Sequence, residues 1–115
     1  MTKYDNTMFV GPGWASLVKL LDQYAELWKI EPVQVKEKFG GLRYYTDSTE
    51  ETIPSNNEMF LGMTILAEAL SFQTCEQCGL PGTQKGQGWI VTMCDECYDK
   101  RMKERKALYG EQTGS

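Results

Sequence analysis

Histidine is absent from all 115 residues, which removes the commonest general base. No apolar run approaches the roughly 18 residues of a membrane span. The opening MTKYDNTMFVGPG lacks a basic start and an apolar core, so a signal peptide is not expected. The expected compartment is the cytoplasm, where thiols stay reduced. Positive charge is missing over a long stretch. From Tyr44 to Gln84 there is no Lys or Arg, whereas Asp47, Glu50, Glu51, Glu58, Glu68 and Glu76 all fall there. With a net charge of −4, a general affinity for nucleic acid is not expected. Cysteine is also scarce, and all four copies crowd into residues 75–97.

What is present falls into clear segments. After a GPG turn at 11–13, Trp14, Leu17, Val18, Leu21, Tyr24, Ala25 and Trp28 recur at steps of three and four, which predicts an amphipathic helix. Pro32 is the expected stop. VQVKEKFGGLRYYT then reads as a β-hairpin. Val33, Val35 and Phe39 alternate with polar residues, and Gly40 and Gly41 are expected to supply the positive φ of its turn. Within such a hairpin Leu42 and Tyr44 share one face, assigned to the interior, and Arg43 and Tyr45 share the other, expected to point outward. The acidic stretch 47–57 is expected as a loop. Asn56 or Asn57 would cap a second helix over about 58–72, with Met59, Phe60, Met63, Leu66 and Leu70 on one side.

The cysteines lie at 75, 78, 94 and 97, two C-x2-C pairs with fifteen residues between them. Two cysteines separated by two residues can bend back and present both sulfurs to one ion. Gly79 permits the sharp turn that follows the first pair. TQKGQGWIVTM, between the pairs, reads as a small hairpin turning at Gly86 to Gly88. The second pair opens CDECYDKRMKERKALYG, whose Asp95 and Glu96 suit a first helical turn and whose Gly110 suits a stop. Knuckle, hairpin and helix in that order make a treble-clef-like module. The expected cofactor is one structural zinc per chain on Cys75, Cys78, Cys94 and Cys97, a closed set with no open position for substrate. Four thiolates and one divalent ion would take the net charge to about −6.

The predicted architecture is therefore a small α+β domain. Residues 1–72 form a helix–hairpin–helix core, 73–109 form the four-cysteine zinc module packed on it, and 110–115 form a flexible tail. Outside the metal site, the candidate partner-binding residues are Phe39, Gly40, Gly41, Arg43 and Tyr45. Arginine and tyrosine are favoured at binding hot spots, and glycines let a partner backbone approach. KRMKERK, 100–106, is either a solvated helix face or a set of phosphate contacts through Lys100, Arg101, Lys103, Arg105 and Lys106.

The combination of KEKFGGLRYY, AEALSFQTCEQCGLPG and GWIVTMCDEC resembles a group of small proteins of phages and bacterial mobile regions. That likeness spans roughly residues 33–98. It implies a setting and no particular reaction. The reading that follows is a non-enzymatic, zinc-stabilised phage-type accessory protein that binds and modulates a host or defence macromolecule, a protein above all. One alternative is a nucleic-acid-binding zinc protein in transcription or DNA handling. Another is a small-nucleotide binder or enzyme using Arg43, the nearby tyrosines and a carboxylate such as Glu37.

Overall fold

A computed structural model describes residues 3–109; the tail at 110–115, with Gly110, lies outside the described residues. Two short 3-10 turns, Thr7–Phe9 and Pro12–Trp14, lead into α1, Ala15–Leu27. This helix buries Val18, Leu21, Asp22 and Ala25, the three-and-four spacing of one helical face. It ends before Pro32. Lys29 takes the left-handed φ of +58°, and the chain turns there into β1, Ile30–Lys38. Pro32 thus sits inside a strand. The ladder slips by one residue between Pro32 and Gln34, because proline has no N–H to give and strands accommodate it at a bulge. Val33 is the extra residue. It is exposed, as is Phe39, so only Val35 of the three expected alternating residues reaches the core.

β1 pairs antiparallel with β2, Gly41–Ser48. The turn differs from the expected Gly40-Gly41 pair. Phe39 (φ +54°) and Gly40 (φ +83°) take the two left-handed positions of a primed hairpin turn. Gly41 already belongs to the strand, and its constraint is space: a Cβ there would overlap the Phe72 ring, 2.9 Å from Cε1 and 3.0 Å from Cε2.

α2, Pro54–Ser71, begins earlier than expected and shortens the acidic loop. Pro54 stands at its first position, where a missing N–H costs nothing and the fixed φ suits a helix. Asn56 and Asn57 consequently lie inside the first turn and do not cap. Phe60, Ala67 and Ser71 are the buried residues of α2, with Met63 partly covered. Met59, Leu66 and Leu70, expected beside Phe60, are exposed.

The main core joins Trp14, Val18, Leu21 and Ala25 to Ile30, Val35, Leu42, Tyr44, Phe60 and Ala67. The rings of Trp28 and Tyr44 both meet Phe60 edge-on, at centroid distances of 6.4 and 5.9 Å. Leu42 and Tyr44 are interior, as their shared face required. A carboxylate lies in this core. Asp22, 1% exposed, accepts hydrogen bonds from the Asn6 amide N–H (2.9 Å), the Asn6 side chain (2.8 Å) and the Tyr44 hydroxyl (2.6 Å). Burial, and then Asp22, raise the Tyr44 pKa and keep the phenol protonated to donate. Replacing Tyr44 by Phe leaves one buried carboxylate oxygen short of a donor. We expect Tyr44→Phe to lower unfolding free energy by about 1.5–3 kcal/mol, read by chemical denaturation. A change under about 0.5 kcal/mol would show that water replaces the hydroxyl.

The C-terminal part holds a second two-stranded antiparallel sheet, β3 (Thr83–Lys85) with β4 (Val91–Met93), followed by α3, Asp95–Tyr109. Its apolar cluster is small: Cys75, Val91 and Met93, flanked by Cys94, Cys97 and Tyr98. The two parts join at several points. Gly13 N–H donates to the Glu76 carbonyl (2.8 Å), Trp14 Nε1–H to the Thr74 carbonyl (2.8 Å), and the Thr92 hydroxyl to the Gly40 carbonyl (2.6 Å).

Candidate metal centre and binding surfaces

The first cysteine pair sits in a knuckle built by backbone hydrogen bonds. Cys75 N–H donates to the Leu80 carbonyl (2.7 Å), and Gly79 N–H donates back to the Cys75 carbonyl (2.9 Å). Gly79 closes it at φ +83°, the role its place after Cys78 indicated. A bridge between Thr74 and Pro81 seals the base. The second pair straddles the start of α3, with Cys94 just before the helix and Cys97 in its first turn. Cys97 N–H points at the Cys94 sulfur at 3.4 Å, and Tyr98 N–H donates to the Cys94 carbonyl at 3.0 Å.

All four Sγ atoms lie within 4.8 Å of one another, and none is in a disulfide. Four ligands about 2.3 Å from a central ion would stand about 3.8 Å apart at tetrahedral corners. The Cys78–Cys94 separation is 3.7 Å. The donor set therefore fits a metal ion bound by sulfur alone. Its electrostatics call for a cation. Burial pushes the Cys75 thiol up, but backbone N–H groups of Cys94, Cys78 and Gln77 outweigh it, and the pKa falls to about 6. The Cys97 thiol is pushed up to about 12, first by its hydrogen bond to Cys94 and then by burial. Four thiolates held this close repel one another, so together they need a positive ion among them.

No family model, curated protein or solved structure matches this chain. Its chemistry is read from its own surfaces.

The FGGLRYY hairpin presents its candidate residues unequally. Phe39 and Tyr45 are exposed, and Gly40 and Gly41 are buried. Arg43, expected to point outward with Tyr45, is only partly exposed. Its Nη1 lies 3.7 Å from Glu68 Oε1 on α2, and its buried Nε has no partner among the described residues. Lys36 stands opposite Arg43 in the ladder. Glu37 is committed to the turn, accepting from the Gly40 N–H at 2.7 Å.

KRMKERK does not form one stripe. Arg101 and Arg105 line a groove of about 590 Å³ beside Trp89 and Tyr98. Lys100 borders a smaller cleft with Gln77, Met93 and Cys97, near the metal site. Lys103 and Lys106 are exposed elsewhere on the helix. Arg101 also reaches Glu76 Oε1 at 3.6 Å, and burial pushes the Glu76 carboxyl upward against that attraction.

Sequence reasoning missed two features. One is the outer face of α2, where Met59, Leu61, Ile65, Leu66 and Leu70 are all exposed, Ile65 at 70%. Its signal was a helix apolar on every side, which one apolar stripe cannot explain. The other is Trp89, 75% exposed at the tip of the β3–β4 loop. A tryptophan preceded by glycines and followed by a strand was the available clue.

Proposed function

We propose that this chain is a zinc-clamped, non-enzymatic accessory protein of phage or mobile-element type. It acts in the cytoplasm, the host's if phage-encoded, by docking on a host or defence protein. The outward face of α2 is the observation that carries this reading. A helix apolar all round belongs against something on every side. Scattered exposed apolar residues are ordinary, but a contiguous patch on one helix marks an interaction surface. Gly62 lies within it, and a Cβ there would meet nothing within 4 Å among the described residues, so none of them demands a glycine. Zinc is the ion that suits a closed tetrahedral set of four thiolates. The metal holds the fold, and the working surface is apolar.

The test is affinity capture from expressing cells, followed by titration of the captured protein. An Ile65→Glu, Leu66→Glu double variant is expected to lose the partner while keeping its metal content and melting temperature, because both side chains are already in water. Arg43→Ala is expected to shift stability by less than about 1 kcal/mol, since its pair with Glu68 is a partly exposed one. If the hairpin shares the interface, the same change weakens the partner roughly tenfold, as hot-spot truncations do. Equal capture by wild type and the double variant would sink the proposal.

A further inference from the structure

The tips of the two hairpins meet, and each carries an exposed ring. Phe39 stands at the β1–β2 turn and Trp89 in the β3–β4 loop. The hydrogen bond from Thr92 to the Gly40 carbonyl pins one hairpin to the other. Phe39, Trp89 and Ile90 line a cleft of about 240 Å³ between the tips. Trp89 also borders the groove of about 590 Å³ that runs to Tyr98, Arg101 and Arg105 on α3. Trp89 is therefore a blade between two hollows, and the rings follow one another as Phe39, Trp89, Tyr98.

Neither tip residue is placed for the benefit of the fold. Phe39 occupies a left-handed position that costs a side chain about 1–2 kcal/mol and that Asn or Gly fills better. It is 61% exposed, so it recovers little by burial. Gly86 (φ +100°) and Gly88 (φ +81°) bend the loop that presents Trp89, and a Cβ on Gly86 would overlap the Trp89 carbonyl. Cations accompany the rings. Lys38 Nζ lies 5.6 Å from the Phe39 centroid and Lys85 Nζ 5.8 Å from the Tyr98 centroid. Lys85 is held by Asp95 at 2.6 Å and Arg101 by Glu76. Arg105 has no ion pair among the described residues, and it stands one helical turn from Arg101 on the groove wall.

We infer that this double cleft binds a short single-stranded nucleic acid, with bases on Trp89 and its neighbouring rings and phosphates on Arg105 and Arg101. Successive π-faces beside cations suit unpaired bases, which stack on any aromatic ring. A duplex hides those faces and asks for a broad basic surface, which a chain of net charge −4 does not offer. An acidic peptide satisfies the arginines and leaves the rings unused. The site shares no residue with the α2 face, so the two proposals fail independently.

The experiment is fluorescence anisotropy with the full chain and labelled 12-mers of unstructured RNA and DNA. A 12-mer duplex and a poly-glutamate peptide serve as competitors. We expect binding to one or both single strands at low salt, with log K against log salt sloping at about −1.5 to −3, as two to four phosphates require. Trp89→Ala should weaken it roughly tenfold or more, the effect of removing one stacked base. Arg105→Ala should flatten the slope by about 0.7. Phe39→Gly is the safeguard against misfolding, because glycine relieves the strained turn. It should hold or raise the melting temperature while weakening the complex. Three results would each overturn the inference: no binding to either strand at roughly 100-fold excess protein over probe, binding indifferent to both ring variants, or stronger competition by the duplex or the peptide.

Discussion

Purified under reducing conditions, the folded protein is expected to carry one zinc per chain, and a strong chelator is expected to melt the segment from Thr74 to Tyr109. The apolar content of that segment explains why. Its buried cluster holds Cys75, Val91 and Met93, and one of these is itself a candidate metal ligand. The two strands it contains are three residues each, and an isolated two-stranded hairpin is marginal in water at best. α3 adds little, since from Lys103 to Leu108 every residue is exposed. Structural zinc supplies on the order of 10 kcal/mol, comparable to the whole stability of an ordinary domain. The main core around Trp14 and Phe60 contains no cysteine and should survive longer, so chelation should give a partial loss of helix signal. Acid should act in the same direction. Bound thiolates must be deprotonated, so the contribution is complete at neutral pH and lost as pH falls and protons displace the ion. Cys78→Ser or Cys94→Ser should reproduce the chelated state. Elemental analysis showing folded, reduced protein free of metal, with an unchanged spectrum after chelation, would refute the assignment.

Elements set by local chemistry were legible in the sequence, and those set by distant neighbours were not. α1 announced itself through its period, and the hairpin through its Gly-Gly corner, although the turn itself falls one residue earlier, on Phe39 and Gly40. The cysteine pairs and Gly79 did so through spacing alone, because a knuckle is closed by residues a few positions apart. α2 was legible as a helix but not as an orientation. With apolar residues all round it, its period carries no direction. The buried face is the one that carries Phe60, Ala67 and Ser71, and the Ser71 hydroxyl accepts from the Leu42 N–H of β2 (2.8 Å), a partner distant in sequence. Gly41 misled for the same reason: it looked like turn chemistry, yet its need comes from Phe72, far along the chain. Asp22 left a fainter trace. It falls four residues after Val18 and three before Ala25, a charged residue on the core-facing stripe, and such a residue must find donors inside. The surfaces divide likewise. The metal centre could be written down from spacing, whereas the ring-lined cleft depends on two hairpin tips meeting, which no local pattern encodes.

Gly13 is the sharpest case of this distance dependence, and we expect Gly13→Ala to lower the unfolding free energy by about 3 kcal/mol or more. In the sequence it is half of a turn, GPG. In the fold it is the seat of the metal knuckle. A Cβ on Gly13 would overlap the Cys75 carbonyl oxygen, and would stand 2.5 Å from Gly79 N and 2.8 Å from the Glu76 carbonyl carbon. All three atoms are backbone, held by the hydrogen bonds that shape the knuckle, so no side chain can swing aside. Relief requires the knuckle to lift, which stretches the Gly13 bond to Glu76 and the Trp14 bond to Thr74. Each is partly or fully withdrawn from water, where an unmade bond costs about 1–3 kcal/mol. The same substitution at Gly62 supplies the contrast. There the new methyl meets nothing within 4 Å among the described residues and lies inside a helix, so Gly62→Ala should stabilise by roughly 0.5–1 kcal/mol. Denaturant midpoints for the two variants, with metal content measured alongside, decide the matter. If Gly13→Ala stays within about 0.5 kcal/mol of wild type, or if Gly62→Ala proves the more damaging of the two, then the knuckle is not seated on the GPG turn as described.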